Sequence, residues 1–155
     1  VARVANLKRR PERDAMAALL PDEHAVVTGA EPLGALGRRL AERYWPGPLT
    51  LLVRARADLS AMLVHDGTVG VRVPGPSPAL ELVRAFDGPL TATSANRSGS
   101  PPTVTDDEVR VVFATELDAI VAGRSPGGAP STLVDITCDP PRVVRVGALH
   151  FELPG

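Results

Sequence analysis

The sequence predicts an α/β protein built on a mixed parallel and antiparallel sheet. Three observations predict it. Apolar runs of strand length stand at residues 49–53, 68–73 and 131–136. Stretches with apolar residues at helical spacing lie between them, at 31–44 and 78–86. Loops rich in proline and glycine (WPGPL, VPGPSP, SGSPPT, PGGAPS) separate the two kinds of segment. Strands alternating with helices call for a sheet flanked by helices, and a closely spaced pair of strands adds an antiparallel edge.

The chain opens on a helical pattern with Val1, Val4 and Ala5 as its apolar positions and no N-cap residue before Val1. The expectation is therefore a domain spanning 1–155 that is incomplete at its N-terminus. Residues 14–29 stay open, because the runs 16–20 and 25–27 are short and either could be a strand. Leu33, Leu36, Leu40 and Tyr44 mark a helix over 31–44 with Pro32 near its first turn, and Trp45-Pro46-Gly47-Pro48 stops it. Residues 49–53 follow as an unbroken apolar strand, buried on both faces. A short helical turn is expected at 58–63, a strand at 68–73, a helix at 78–86 and a short strand at 89–93. Thr105-Asp106-Asp107-Glu108 matches a capping box, and the helix behind it carries Val109, Val112 and Phe113. A strand is expected at 119–121. Segments 131–136 and 142–146 pair as antiparallel strands around the 138–141 turn.

Composition narrows the function classes. The 155 residues suit one domain that needs no covalent staples. Aromatic residues are only 3%, so the core falls to Val, Leu, Ala and Ile. Net charge is −1, with 17 basic and 18 acidic residues, which gives no overall drive toward nucleic acid or membrane. The single cysteine, Cys138, excludes an internal disulfide and stands in a turn, a poor setting for a catalytic thiol. His24, His65 and His150 have no ligand spacing, so a metal site of His and Cys is not supported. With no signal peptide or apolar span, these features point to the cytoplasm.

Three features carry chemistry. Lys8, Arg9, Arg10 and Arg13 form a basic cluster that is either a solvated helix end or a phosphate site. The segment TSANRSG, residues 93–99, follows a strand. It is either an ordinary Asx/Ser turn or a loop whose small residues let backbone N–H groups and hydroxyls approach an anion. Arg72 and Arg145 each lie among valines on expected strands, so each either reaches out to solvent or meets a buried anion. There is no Walker-type loop, no G-x-S-x-G and no carboxylate pair.

The order and wording of these segments resemble the YrdC-like family, over nearly the whole chain. LKRRP resembles its K-x-R-P motif, and YWPGPLTLLV its W-P-G-P-L-T strand entry. TVGVRVP, LTATSANRSG, PSTLVD and VVRVGA resemble its later motifs in the same order. The resemblance implies a twisted open mixed sheet with flanking helices, here missing the family's first strand. It implies an L-threonylcarbamoyladenylate synthase, a nucleotidyltransferase making threonylcarbamoyl-AMP from L-threonine, bicarbonate and ATP and releasing pyrophosphate. The product serves tRNA modification at adenosine 37. Mg²⁺, the tRNA threonylcarbamoyl-transfer machinery and tRNA or double-stranded RNA are the further implied partners. The alternative is a non-catalytic relative that binds nucleotide or double-stranded RNA.

By the same resemblance, Lys8, Arg10, Thr68, Ser94, Asn96 and Arg145 bind ATP, and Arg72, Ala92 and Ser131 hold threonine. No covalent nucleophile is implied. The sequence also departs from the family. Its opening P-T-D-T-x-Y-G-L motif has no counterpart after Val1. Asp14-Ala15-Met16 stands where the family reads K-P-L, which adds repulsion toward phosphate, and Leu19 stands where a histidine is expected.

Overall fold

The structure, a computed structural model, describes residues 1–9 and 16–149. Its strands are β1 (Ala17–Leu19), β2 (Leu49–Arg54), β3 (Thr68–Arg72), β4 (Leu90–Ala92), β5 (Thr132–Asp135) and β6 (Arg142–Arg145). Its α-helices are α1 (Ala2–Lys8), α2 (Ala35–Tyr44), α3 (Pro78–Phe86) and α4 (Asp106–Phe113). The strands form one sheet in the order β4-β1-β3-β2-β5-β6. Pairs β1/β3 and β2/β5 are parallel, while β1/β4, β2/β3 and β5/β6 are antiparallel. The sheet is mixed, as expected.

Strand alternation divides this sheet into two unlike faces. Leu51 pairs with Val71 and with Val134, and Ala18 pairs with Val71, so these four side chains share one face. With Leu49, Val53 and Val69 they form the centre of the core, and Leu49, Leu51 and Val134 are fully buried. The other face takes Leu19, Arg72, Gly70, Thr50, Leu133 and Arg145. It is half-open: Leu19, Arg72 and Leu133 are half-buried, and Arg145 is exposed.

Local sequence explains most boundaries. Helix α3 starts at Pro78 behind Ser77, whose hydroxyl accepts the Leu80 N–H. Helix α2 starts at Ala35, not at residue 31, because the preceding backbone pairs with the end of β2. Ala30 bridges Ala55, and the Glu31 N–H donates to the Arg54 carbonyl at 2.9 Å. The open segment resolves into strand β1 and a 3₁₀ helix, His24–Thr28. Asp22 starts that helix by accepting the N–H groups of His24 and Ala25 at 2.8 and 3.1 Å. Residues 119–121 form no strand, contrary to expectation. Val121 is 69% exposed, and the nearby backbone pairing is an isolated bridge between Thr105 and Arg124.

The capping box of α4 is present. Thr105 Oγ1 accepts the Glu108 N–H at 3.2 Å, and Glu108 Oε2 accepts from Thr105 and Val104. Thr105→Ala is expected to lower stability by about 1 kcal/mol, or roughly 2–4 °C in Tm, in a thermal melt. The N–H groups of Val104 and Thr105 hold the Glu108 carboxyl below its usual range. A depressed carboxyl stabilises the fold above its unfolded pKa, so this contribution is complete at neutral pH. It fades as pH falls through the ordinary glutamate range and below; because Glu108 accepts from backbone N–H groups that Thr105→Ala keeps, the variant loses it in parallel with wild type.

Candidate functional site

Arg72 ends β3 on the half-open face, and the WPGP turn sets its geometry. Trp45 Nε1 donates to the Leu49 carbonyl at 2.7 Å, closing the turn onto β2. The Gly47 N–H donates to the Val73 carbonyl at 3.0 Å, and Arg72 Nε donates to the Gly47 carbonyl at 2.7 Å. A side chain on residue 47 would overlap the Tyr44 carbonyl oxygen, so the turn needs glycine there. With Nε anchored, the planar fork of the guanidinium keeps its outer N–H groups for a ligand. Burial pulls the Arg72 pKa down from its usual value, though an arginine remains charged. Among the described residues no carboxylate pairs with it. A half-buried cation without an acidic partner among the described residues is a candidate for holding an anion.

Register carries the row outward from Arg72. Leu51 faces Val71, so the next step of the antiparallel pair sets Thr50 beside Arg72. Thr50 pairs with Leu133, and Leu133 with Arg145. Three strand spacings therefore separate Arg72 from Arg145, about 14 Å between backbones. Arg145 grips the residue before β5: Nε and Nη2 donate to the Ser131 carbonyl at 3.1 and 2.9 Å, and Nη2 also reaches Ser131 Oγ at 3.3 Å. Ser131 Oγ lies 2.7 Å from Thr50 Oγ1. On the far side of Arg72, Leu19 is its partner on β1, and Ala92 faces Ala17.

The 94–98 loop follows β4 and is fastened to the end of α1. Lys8 is only 4% exposed. Its Nζ donates to the carbonyls of Ser94 and Asn96 at 2.5 and 2.8 Å and to Asn96 Oδ1 at 2.8 Å. Ser94 Oγ donates to Asn96 Oδ1 at 2.6 Å, and Asn96 Nδ2 donates to the Ser100 carbonyl. The Ser98 N–H returns to the Lys8 carbonyl at 2.8 Å. Arg97 closes the other side: it donates to the Leu7 carbonyl, pairs with Glu116 and lies over Phe113 at 4.8 Å. An ammonium has three N–H donors. The three that Lys8 directs at this loop make it the pin of the loop's shape.

The structure thus brings Arg72, Ala92, Ser131 and Arg145 to one face, with Ser94, Asn96 and Lys8 in the loop that leaves β4. Thr68 shares the face but lies four residues from Arg72 along β3, roughly 13 Å away. Its hydroxyl donates to the His65 carbonyl at 2.8 Å. Arg10 and Asp14 lie outside the described residues. Sequence reasoning missed Thr50, Gly47 and Arg97. Thr50 had a signal: a hydroxyl inside an apolar strand must find a partner. Among the described residues no group of three His, Cys, Asp or Glu side chains is placed to hold a metal. An apolar cavity of about 320 Å³ lies on the opposite, core face, lined by Val26, Leu59, Leu63, Val69 and Val71 among others. Its lining is mostly apolar, with Thr28 and Thr91 as its hydroxyl-bearing side chains, and it holds none of the arginines of the half-open face.

Comparison with known proteins follows the same outline. The Sua5/YciO/YrdC family model, described as telomere recombination, matches residues 1–147. The threonylcarbamoyl-AMP synthase of Pyrococcus abyssi is 31% identical over 155 residues, covering 98% of this chain and 45% of that protein. The threonylcarbamoyl-AMP synthase of Halorhodospira halophila is 36% identical over 129 residues, covering 82% of this chain and 67% of that protein. The crystal structure of P. abyssi Sua5 complexed with L-threonine superposes with a TM-score of 0.89 at 30% identity, over 96% of this chain and 44% of that one. Escherichia coli YciO shares the fold with a TM-score of 0.81 at 24% identity, over 95% of this chain and 72% of that one. The chain thus spans less than half the length of the Pyrococcus protein and two thirds of the Halorhodospira one.

Proposed function

This chain belongs to the Sua5/YciO/YrdC family, and on that premise we propose that it is a threonylcarbamoyl-AMP synthase domain working on its half-open sheet face. The observation that carries the reading is Arg72, a half-buried guanidinium anchored through Nε and left without an acidic partner among the described residues. A carboxylate is, with phosphate, one of the anions that an arginine fork binds through paired N–H donors, and this reading assigns the amino acid's carboxylate to it.

In this reading Arg72, Ala92 and Ser131 form the amino-acid side. Arg145, Ser94, Asn96, Thr68 and Arg10 form the nucleotide side, and Lys8 contributes through the loop it pins. The threonine amine attacks the carbon of bicarbonate, and loss of water leaves a carbamate. A carbamate oxygen then attacks the α-phosphorus of ATP in line, and the bond to pyrophosphate breaks. The residues supply position and positive charge and form no covalent intermediate. Mg²⁺ belongs to the reaction as the companion of the nucleotide phosphates. The product goes to a tRNA-modifying step in the cytoplasm. Among the described residues no helix is long and apolar enough to cross a membrane.

A second reading, a relative that binds nucleotide or double-stranded RNA without the transfer step, is favoured by Leu19. It puts an apolar side chain next to Arg72 in the sheet register. Pyrophosphate release separates the two. The purified chain is expected to release pyrophosphate from ATP only when both L-threonine and bicarbonate are present. Uptake of ATP with no such release assigns the chain to the second reading.

A further inference from the structure

Thr50 stands where an apolar residue would be expected. It is the one polar residue in the run LTLLV, it is 3% exposed, and its neighbours Leu49 and Leu51 are fully buried on the core face. A buried hydroxyl is retained only with a partner. That partner is Ser131 Oγ at 2.7 Å, reached across the parallel pair β2/β5.

The direction of this hydrogen bond follows from donor counting. A hydroxyl has one O–H and two lone pairs. Arginine can only donate, so Arg145 Nη2 occupies a lone pair of Ser131 Oγ. Suppose Ser131 gave its proton to Thr50. The Thr50 O–H would then need another acceptor, and among the described residues Thr50 Oγ1 has no contact besides Ser131. A buried donor would be left unmet, which costs more than the bond gains. In the opposite direction every buried group is satisfied. Thr50 donates to Ser131, Ser131 accepts twice, and its own O–H is left over. That O–H belongs to a half-buried residue on the half-open face, in the same row as Arg72.

We propose that Thr50 is a positioning residue that fixes the Ser131 hydroxyl as a donor toward an acceptor oxygen of the amino-acid substrate. The proposal rests on the synthase reading for the identity of that substrate. It also explains why Arg145 touches Ser131 through both its carbonyl and its hydroxyl. The arginine fills the second lone pair, so Ser131 has no remaining acceptor capacity and discriminates in favour of acceptor ligands. Ser131 thereby works with Arg72 as a pair of donors aimed at one oxygen-rich group, and neither offers it a competing acceptor.

The test is a calorimetric titration of the full chain with L-threonine and, separately, with ATP. The proteins are wild type, Thr50→Val, Thr50→Ser, Ser131→Ala and the Thr50→Val/Ser131→Ala double variant, each melted in parallel. Thr50→Val removes the donor while keeping the shape. It is expected to weaken L-threonine by about tenfold and to leave ATP affinity unchanged. Thr50→Ser is expected to restore L-threonine binding, and the double variant to bind no worse than Ser131→Ala alone. Three results would overturn the relay: wild-type affinity in Thr50→Val, equal loss in Thr50→Ser, or a further loss in the double variant. A wild-type chain that takes up no L-threonine is a different result. It overturns the synthase reading and with it the ligand assigned to Ser131.

Discussion

Arg72→Ala is expected to weaken L-threonine by roughly ten- to hundredfold while ATP affinity stays close to wild type. The magnitude is that of one charge-assisted contact, about 1.5–3 kcal/mol. The selectivity follows from position. Arg72 is three strands from Arg145 and is held by the Gly47 carbonyl, not by the 94–98 loop. Losing its side chain therefore leaves the arrangement of Lys8, Ser94 and Asn96 intact. Arg72→Lys separates charge from geometry. A lysine keeps the cation but has no Nε to donate to Gly47 and no planar fork, so it is expected to recover only part of the affinity. Calorimetric titration of each variant with each ligand reads the result. If Arg72→Ala loses both ligands equally, the division of the face into an amino-acid side and a nucleotide side is wrong.

The parts of this molecule that were legible in the sequence are those fixed by short-range rules. Helix α3 came out at its observed bounds because Ser77, Pro78 and a run of apolar residues at helical spacing act within one or two turns. The α4 capping box was legible for the same reason. Strands β2 and β3 were legible because valine and leucine runs bounded by proline loops have few other solutions. The 3₁₀ helix at His24–Thr28 was not called, although Asp22 was a capping signal in plain view. Residues 119–121 misled because a short apolar run makes a strand only if a neighbour offers its edge. What the sequence could not give was contact at long range. The Lys8 ammonium reads as a phosphate ligand in isolation, and only the fold shows it seated among carbonyls 86 and 88 residues away. The Thr50–Ser131 bond spans 81 residues and depends on the β2/β5 register, which no local pattern specifies.

Gly147→Ala is expected to have the largest effect on stability. The residue is buried, and a methyl group there would overlap the Pro130 carbonyl oxygen and sit 2.6 and 2.7 Å from the carbonyl carbon and oxygen of Ser131. Those atoms are backbone and have no rotamer to escape into. Residues 147–149 are also wrapped tightly on Thr132, which is 1% exposed. Thr132 Oγ1 accepts the N–H groups of Gly147 and Leu149 at 3.0 and 3.1 Å and donates to the Leu149 carbonyl at 2.6 Å, so its hydroxyl is fully used. Relief of the overlap must pull 147–149 away from this hydroxyl or push Ser131 out of place. Overpacking costs about 1–3 kcal/mol and more where nothing can yield, so a loss near 3 kcal/mol is expected, or roughly 6–12 °C in Tm for a chain of this length. The site should feel it as well, because the Ser131 carbonyl is what the Arg145 fork grips. At temperatures where the variant is still folded, both ligands should bind more weakly, in contrast to the one-sided loss at Arg72. A wild-type melting temperature for Gly147→Ala would mean that this backbone crossing is looser than the structure has it, and the seat of Ser131 with it.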